Sequence, residues 1–112
     1  MAKFQIIQTL KGLYYFRLKA SNGEIILRSE AYTSKQGCLN GIESVKYNSR
    51  EDGNYITKTS SNGKYYFNLK ARNGEIVGTS EMYNTKQRVL NGIEFVKTNA
   101  SNAQIIITVG SN

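Results

Sequence analysis

The chain has 112 residues, 15 Lys and Arg against 8 Asp and Glu, a formal net charge of +7, one cysteine, and neither histidine nor proline. Without histidine there is no serine–histidine triad, no Cys–His dyad and no His-bearing zinc site, and one cysteine allows no intrachain disulfide. No apolar run approaches the roughly 18 residues that would suggest a membrane-spanning helix.

The first predicted strand covers residues 4–9, and Lys11-Gly12 follows it as a turn signal. The second is Tyr14-Tyr15-Phe16-Arg17-Leu18-Lys19, whose alternation puts Tyr14, Phe16 and Leu18 on one face and Tyr15, Arg17 and Lys19 on the other. Asn22-Gly23 is a strong hairpin signal. A third strand is expected over 24–30. A two-residue turn places Leu18 opposite Leu27; a three-residue turn shifts that register by one, and both remain open. A helix follows, capped by Thr33 or Ser34, with Thr33 and Gln36 spaced as a capping box and Cys38, Leu39, Ile42 and Val45 forming its apolar stripe. Gly41 lies mid-helix, where close approach to the sheet is expected, and Asn48 is a candidate C-terminal stop.

The chain then repeats itself. Residues 12–48 and 63–99 align without a gap at an offset of 51, and 24 of the 37 positions are identical. Tyr55–Thr59 restarts the series, Tyr65–Lys70 repeats the alternating strand, Asn73-Gly74 the turn and 75–81 the third strand. The second helix carries Asn84 or Thr85 as cap, Asn84 with Gln87 as a box, the stripe Val89, Leu90, Ile93 and Val96, and Gly92 and Asn99 in the places of Gly41 and Asn48. The same offset lands once more on Ile106–Val109, where Ile107-Thr108 echoes Ile56-Thr57, within the apolar run that begins Ile105-Ile106-Ile107. An uncharged strand of such β-propensity needs a partner, and residues 105–109 are expected to return beside 4–9.

Two copies are too few for a solenoid, and one copy alone is near the size where a core becomes marginal. The expected architecture is therefore α+β. Two β-β-β-α-β repeats, about 3–50 and 54–101, form one antiparallel sheet with two helices on one face, and a swapped strand at 104–109 closes it.

The units YYFxLKAxNGEI, SExYxxKQ and LNGIExVKxN stand at 14–25, 29–36 and 39–48, and again at 65–76, 80–87 and 90–99. In these residues the chain resembles the YegP-like family of small bacterial domains of unknown function. The resemblance implies β-β-β-α-β units, present as paired subunits or tandem repeats, joined in a single sheet with exchanged C-terminal strands; a tandem chain already contains both halves, so a monomer with an internal pseudo-twofold is expected. It transfers no activity, cofactor or site residue.

Candidate chemistry is sparse. Glu24/Glu75, Glu30/Glu81 and Glu43/Glu94 recur as carboxylates, but a turn, a strand end and a helix do not bring two together for acid–base work. Glu43 with Lys46 and Glu94 with Lys97 are spaced for i,i+3 ion pairs. Gln36, Asn40 and Glu43, with Gln87, Asn91 and Glu94, form a polar stripe expected on an outer helix face. Cys38, replaced by Val89 in the second copy, reads as a buried apolar thiol in a protein of the reducing cytoplasm, and the N-terminus lacks the apolar stretch of a secretory leader. The most suggestive constellation is Tyr15, Arg17 and Lys19 with Tyr66 and Lys70, where Asn68 replaces the arginine: rings interleaved with cations on a sheet suit single-stranded nucleic acid. The expected function is non-catalytic, a cytoplasmic binding or interaction module without metal, cofactor or membrane. Its partner, protein or nucleic acid, is left open; the alternative reading is single-stranded nucleic acid held weakly and without sequence preference.

Overall fold

The computed structural model describes residues 1–108, so Val109, expected in the last strand, lies outside the described residues. The elements run β1 (Lys3–Gln8), β2 (Tyr14–Lys19), β3 (Ile25–Arg28), α1 (Lys35–Asn48), β4 (Tyr55–Thr59), β5 (Tyr65–Lys70), β6 (Ile76–Ser80), α2 (Lys86–Asn99) and β7 (Gln104–Thr108). One seven-stranded sheet holds all the strands in the order β4-β5-β6-β3-β2-β1-β7. Phe4, Ile6, Phe16, Leu18, Leu27, Phe67 and Leu69 are fully or almost fully buried on one face. The helix residues Cys38, Ile42, Val45, Val89 and Val96 meet them there in a single core.

The returning strand lies where expected but runs parallel. β7 pairs with β1 in the register Phe4↔Ile105 and Ile6↔Ile107. The expected all-antiparallel sheet is thus corrected at this one pair. The crossover from α2 carries the chain across to the far edge of the first half, so β7 enters in the direction of β1.

Each hairpin combines the two readings left open. Gly23 N–H donates to Ala20 O at 2.9 Å, Gly23 has φ +89°, and the ladder shifts between Leu18 and Lys19. A three-residue loop with a glycine bulge therefore still delivers the Leu18↔Leu27 register. Only the glycine of Asn22-Gly23 adopts positive φ; Asn22 Oδ1 instead accepts from Glu24 N–H at 2.9 Å. Beyond each regular ladder a serine continues the pairing: Phe16 N–H donates to Ser29 Oγ and Phe67 N–H to Ser80 Oγ, both at 2.9 Å.

The halves join through β3 and β6, where Arg28 pairs with Thr79, its own counterpart 51 residues later. The local twofold passes through this pair. Residues 26–28 and 77–79 are also the longest run over which the copies differ. At the middle position of the run the cause is steric. Leu27 and its counterpart Gly78 abut at the axis, and a Cβ on Gly78 would lie 2.7 Å from Leu27 Cγ. One large side chain fits there, and two do not.

At each helix one of the two offered caps is the one used, and other local expectations are corrected. Ser34 and Thr85 are the N-caps, accepting from Gly37 N–H and Arg88 N–H. The glutamines do not close capping boxes; Gln36 donates to Asn40 at 2.9 Å and Gln87 to Asn91 at 3.0 Å, one turn onward. Asn48 and Asn99 end their helices as expected, although Ser49 and Ala100 after them keep the right-handed conformation. Their side-chain amides turn back to Ser44 O and Phe95 O. The helix glycines are closely approached, chiefly by tyrosine and phenylalanine rings rather than sheet backbone: Tyr32 and Phe16 over Gly41, Tyr83 and Phe67 over Gly92.

Candidate binding face

The helices cover one side of the sheet and leave the other open. Register places Gln5, Arg17, Arg28, Thr79, Asn68 and Ile56 in one row across six strands of that open side. Tyr15 and Lys19 flank Arg17 on β2, and Tyr66 and Lys70 flank Asn68 on β5. All five predicted residues therefore share one face, each half-buried. They form two clusters, because β3 and β6 stand between β2 and β5. At about 4.8 Å per strand, the clusters lie roughly 14 Å apart.

The residues that bridge them were not singled out from sequence. The seven strands contain six cations, Lys3, Arg17, Lys19, Arg28, Lys58 and Lys70, and no Asp or Glu. The opposite parity is taken by core residues, so all six cations lie on the open face. Lys3 stands directly opposite Lys19, and Arg17 directly opposite Arg28. Like charges placed so cost a few tenths to about 1 kcal/mol per pair. Part of that repulsion is relieved locally: Arg17 Nε donates to Gln5 Oε1 at 3.1 Å, and Arg28 Nε pairs with Glu81 at 3.2 Å. Gln5 in turn donates to Thr108 Oγ1 at 3.0 Å, and Thr79 donates to Asn68 Oδ1 at 2.9 Å. A cleft of about 220 Å³ at one end of the face is lined by Lys3, Gln5, Lys19 and Ile106. The period-two pattern of each strand could have found Arg28, Lys3 and Lys58; the order of the strands could not be read in the same way.

The other candidates stand apart from this face. Glu43 and Glu94 are exposed on the helices, and their expected ion pairs are absent among the described residues. Lys97 pairs with Asp52 at 2.5 Å, Glu94 accepts from Thr98 at 3.2 Å, and Lys46 lies 5.9 Å from the centre of the Phe4 ring. Cys38 is buried, and burial pushes its thiol up to about 11. The hydroxyls of Tyr32, Tyr55 and Tyr83 are likewise raised, mainly by burial and further by neighbouring charge. Among the described residues no group of three or more acidic or cysteine side chains could hold a metal ion, and no helix is long and apolar enough to cross a membrane.

The model of the domain of unknown function DUF1508 matches the chain twice, over residues 11–55 and 60–106. The chain belongs to this family. The UPF0339 protein YegP of Escherichia coli K12 is 47% identical over 102 residues, covering 91% of this chain and 93% of that protein. A UPF0339 protein in the ptx operon 5' region of Stutzerimonas stutzeri is 48% identical over 103 residues, covering 92% and 93%. The solution NMR structure of E. coli YegP, a protein of unknown function, superimposes with a TM-score of 0.91 at 46% identity, over 99% of this chain and 96% of that one. A UPF0339 protein from Shewanella oneidensis gives 0.90 at 42%, over 96% and 92%. The family resemblance, the mixed α+β fold and the two-copy organisation are thereby shown.

Proposed function

We propose that this DUF1508 protein is a non-catalytic binding module that acts as a cytoplasmic monomer and binds through the helix-free face of its sheet. The observation that carries this reading is the segregation of charge: six strand cations on one face, two like-charged cross-strand pairs, and no strand carboxylate. A folded sheet bears that repulsion at less cost with a polyanion across it. Among polyanions, single-stranded nucleic acid fits best, because Tyr15 and Tyr66 offer rings among the cations and stacking on rings tolerates any base. The roughly 14 Å between clusters is a few nucleotides of extended strand, with Arg28 between them to meet phosphate.

The test is fluorescence polarisation with labelled oligothymidylate and oligouridylate over a salt series. Binding should weaken steeply with salt as condensed counterions are released, at about 0.7 log units per decade for each phosphate neutralised. Tyr15→Ala and Tyr66→Ala should each cost about 1–3 kcal/mol, whereas Lys19→Gln and Lys70→Gln should flatten the salt slope. Equal binding of heparin, unmoved by the tyrosine substitutions, would retain the polyanion and remove the nucleic acid. No binding of either at low salt would overturn the proposal.

A further inference from the structure

The internal duplication exposes an asymmetry at the two ends of the sheet. β1 and β4 are counterparts, the opening strand of each half. The outer edge of β1 is taken by β7, in parallel. Among the described residues no strand pairs with the outer edge of β4, the terminal strand of the sheet. On the helix beside that edge Leu90 is 55% exposed, whereas its counterpart Leu39 is half-buried against the core. A cleft of about 350 Å³ runs there between β4 and α2, with Thr57, Thr59, Tyr65, Val89 and Leu90 along it and Lys86 at its margin.

We infer that the outer edge of β4 is a strand-addition site for an extended segment of a partner protein, which enters parallel to β4 as an eighth strand. The chain's own β7 defines the chemistry of the occupant. On the twin edge, β7 presents Ile105 and Ile107 to the helix side, opposite Phe4 and Ile6. An occupant of β4 would present aliphatic side chains opposite Tyr55 and Thr57, towards Val89 and Leu90. Lys58 and Lys86 flank the cleft, and among the described residues no acidic side chain lines it, so the fitting segment places aliphatic residues two apart and carries a carboxylate beside them. The edge itself differs from β1 as an open edge must: Thr57 and Lys58 stand where β1 has Ile6 and Ile7, which keeps it from pairing indiscriminately. Affinity then comes from main-chain hydrogen bonds and from the helix-side aliphatic contacts. This site is on the sheet edge and shares only Lys58 with the polyanion face.

The test uses the full isotope-labelled chain and the synthetic peptide Asp-Ala-Gln-Ile-Ile-Ile-Thr-Asp, which holds the sequence of residues 103–108 between acidic ends. A peptide of the same composition, rearranged so that no two isoleucines stand two residues apart, is the control. The expected result is amide shifts confined to Tyr55–Thr59 and the first turns of α2, with cross-strand contacts in parallel register and weaker binding of the control. Leu90→Asp, a substitution at an exposed position, should leave the spectrum of the free protein otherwise unchanged and weaken the peptide about tenfold, the loss of roughly half an aliphatic burial. Three results would overturn the inference: no shifts with either peptide, shifts confined to β1 and β7 as the peptide displaces the chain's own strand, or concentration-dependent broadening of β4 without peptide, which would give the edge to a second copy.

Discussion

Gly78→Ala tests the junction between the halves. The added Cβ would lie 2.7 Å from both Leu27 Cγ and Cδ2, where ordinary contacts begin near 3.4 Å. Leu27 is fully buried and held by its pairing to Ser80, so it cannot swing away into solvent. Overpacking of this kind costs about 1–3 kcal/mol. Against it stands about 0.5–1 kcal/mol gained by replacing glycine within a strand. The net expectation is a loss of about 1.5 kcal/mol. With an unfolding entropy of about 2.1 cal/mol/K per residue, a chain of this length should melt about 6 °C lower. Thermal unfolding followed by circular dichroism measures this directly. The exchange Leu27→Gly with Gly78→Leu moves the large side chain to the other side of the axis and should recover much of the stability lost by Gly78→Leu alone. An unchanged or raised Tm for Gly78→Ala, or no recovery in the exchange, would refute the steric account of the axis.

The helix glycines should differ in the same assay. A Cβ on Gly41 meets Tyr32 Cζ at 2.8 Å and Phe16 at 3.1 Å, whereas on Gly92 its nearest contacts, with Phe67 and Tyr83, are 3.1 Å. Gly41→Ala should therefore cost about 2 kcal/mol, and Gly92→Ala about 1 kcal/mol or less once the helix preference of alanine is counted; a raised Tm for Gly41→Ala would contradict this. Deleting residues 104–112 strips the parallel partner from β1 and leaves the fully buried Phe4 at a bare edge, so amide exchange should quicken in β1 and β2 as well as in the second half, with aggregation; acceleration confined to 55–103 would show that the first half does not depend on β7. Stability should fall on the alkaline side. Cys38 titrates near 9 when unfolded and about 11 when folded, so the folded state retains a proton that the unfolded state releases. That contribution is complete below pH 9 and is lost as pH rises through about 11. The raised tyrosines act in the same direction, and a flat urea midpoint from pH 8 to 11 would contradict both. Cys38 should also resist thiol reagents at neutral pH until the protein unfolds.

Much of the fold was legible because each signal was local and came twice. The alternation in Tyr14–Lys19 and Tyr65–Lys70, the Asn-Gly turns and the stripe through Cys38, Ile42 and Val45 each rest on a period or a backbone preference that a single segment displays. The threefold recurrence of the opening strand placed β7 beside β1, since an apolar uncharged strand needs a partner. Its parallel direction depends on how the crossover from α2 spans the sheet, which no local pattern records. The capping boxes and the Glu43–Lys46 pair failed for a related reason. Gln36 has Asn40 one turn away as an alternative, and Lys46 has the Phe4 ring brought to it by the fold. The binding face was half visible. Tyr15, Arg17, Lys19, Tyr66 and Lys70 follow from parity within a strand, and Arg28 stands beside Arg17 through the β2–β3 hairpin, but its place between the two clusters depends on β3 meeting β6 at the twofold.

The account's central claim, that the helix-free face is the binding surface, is tested most directly by mapping amide shifts of the full chain as oligothymidylate is added at low salt. The account predicts shifts on the strands around Tyr15, Arg17, Arg28, Tyr66 and Lys70 that reverse as salt is raised, with α1 and α2 unmoved. Shifts confined to the helices, or none at all with the protein folded, would contradict it.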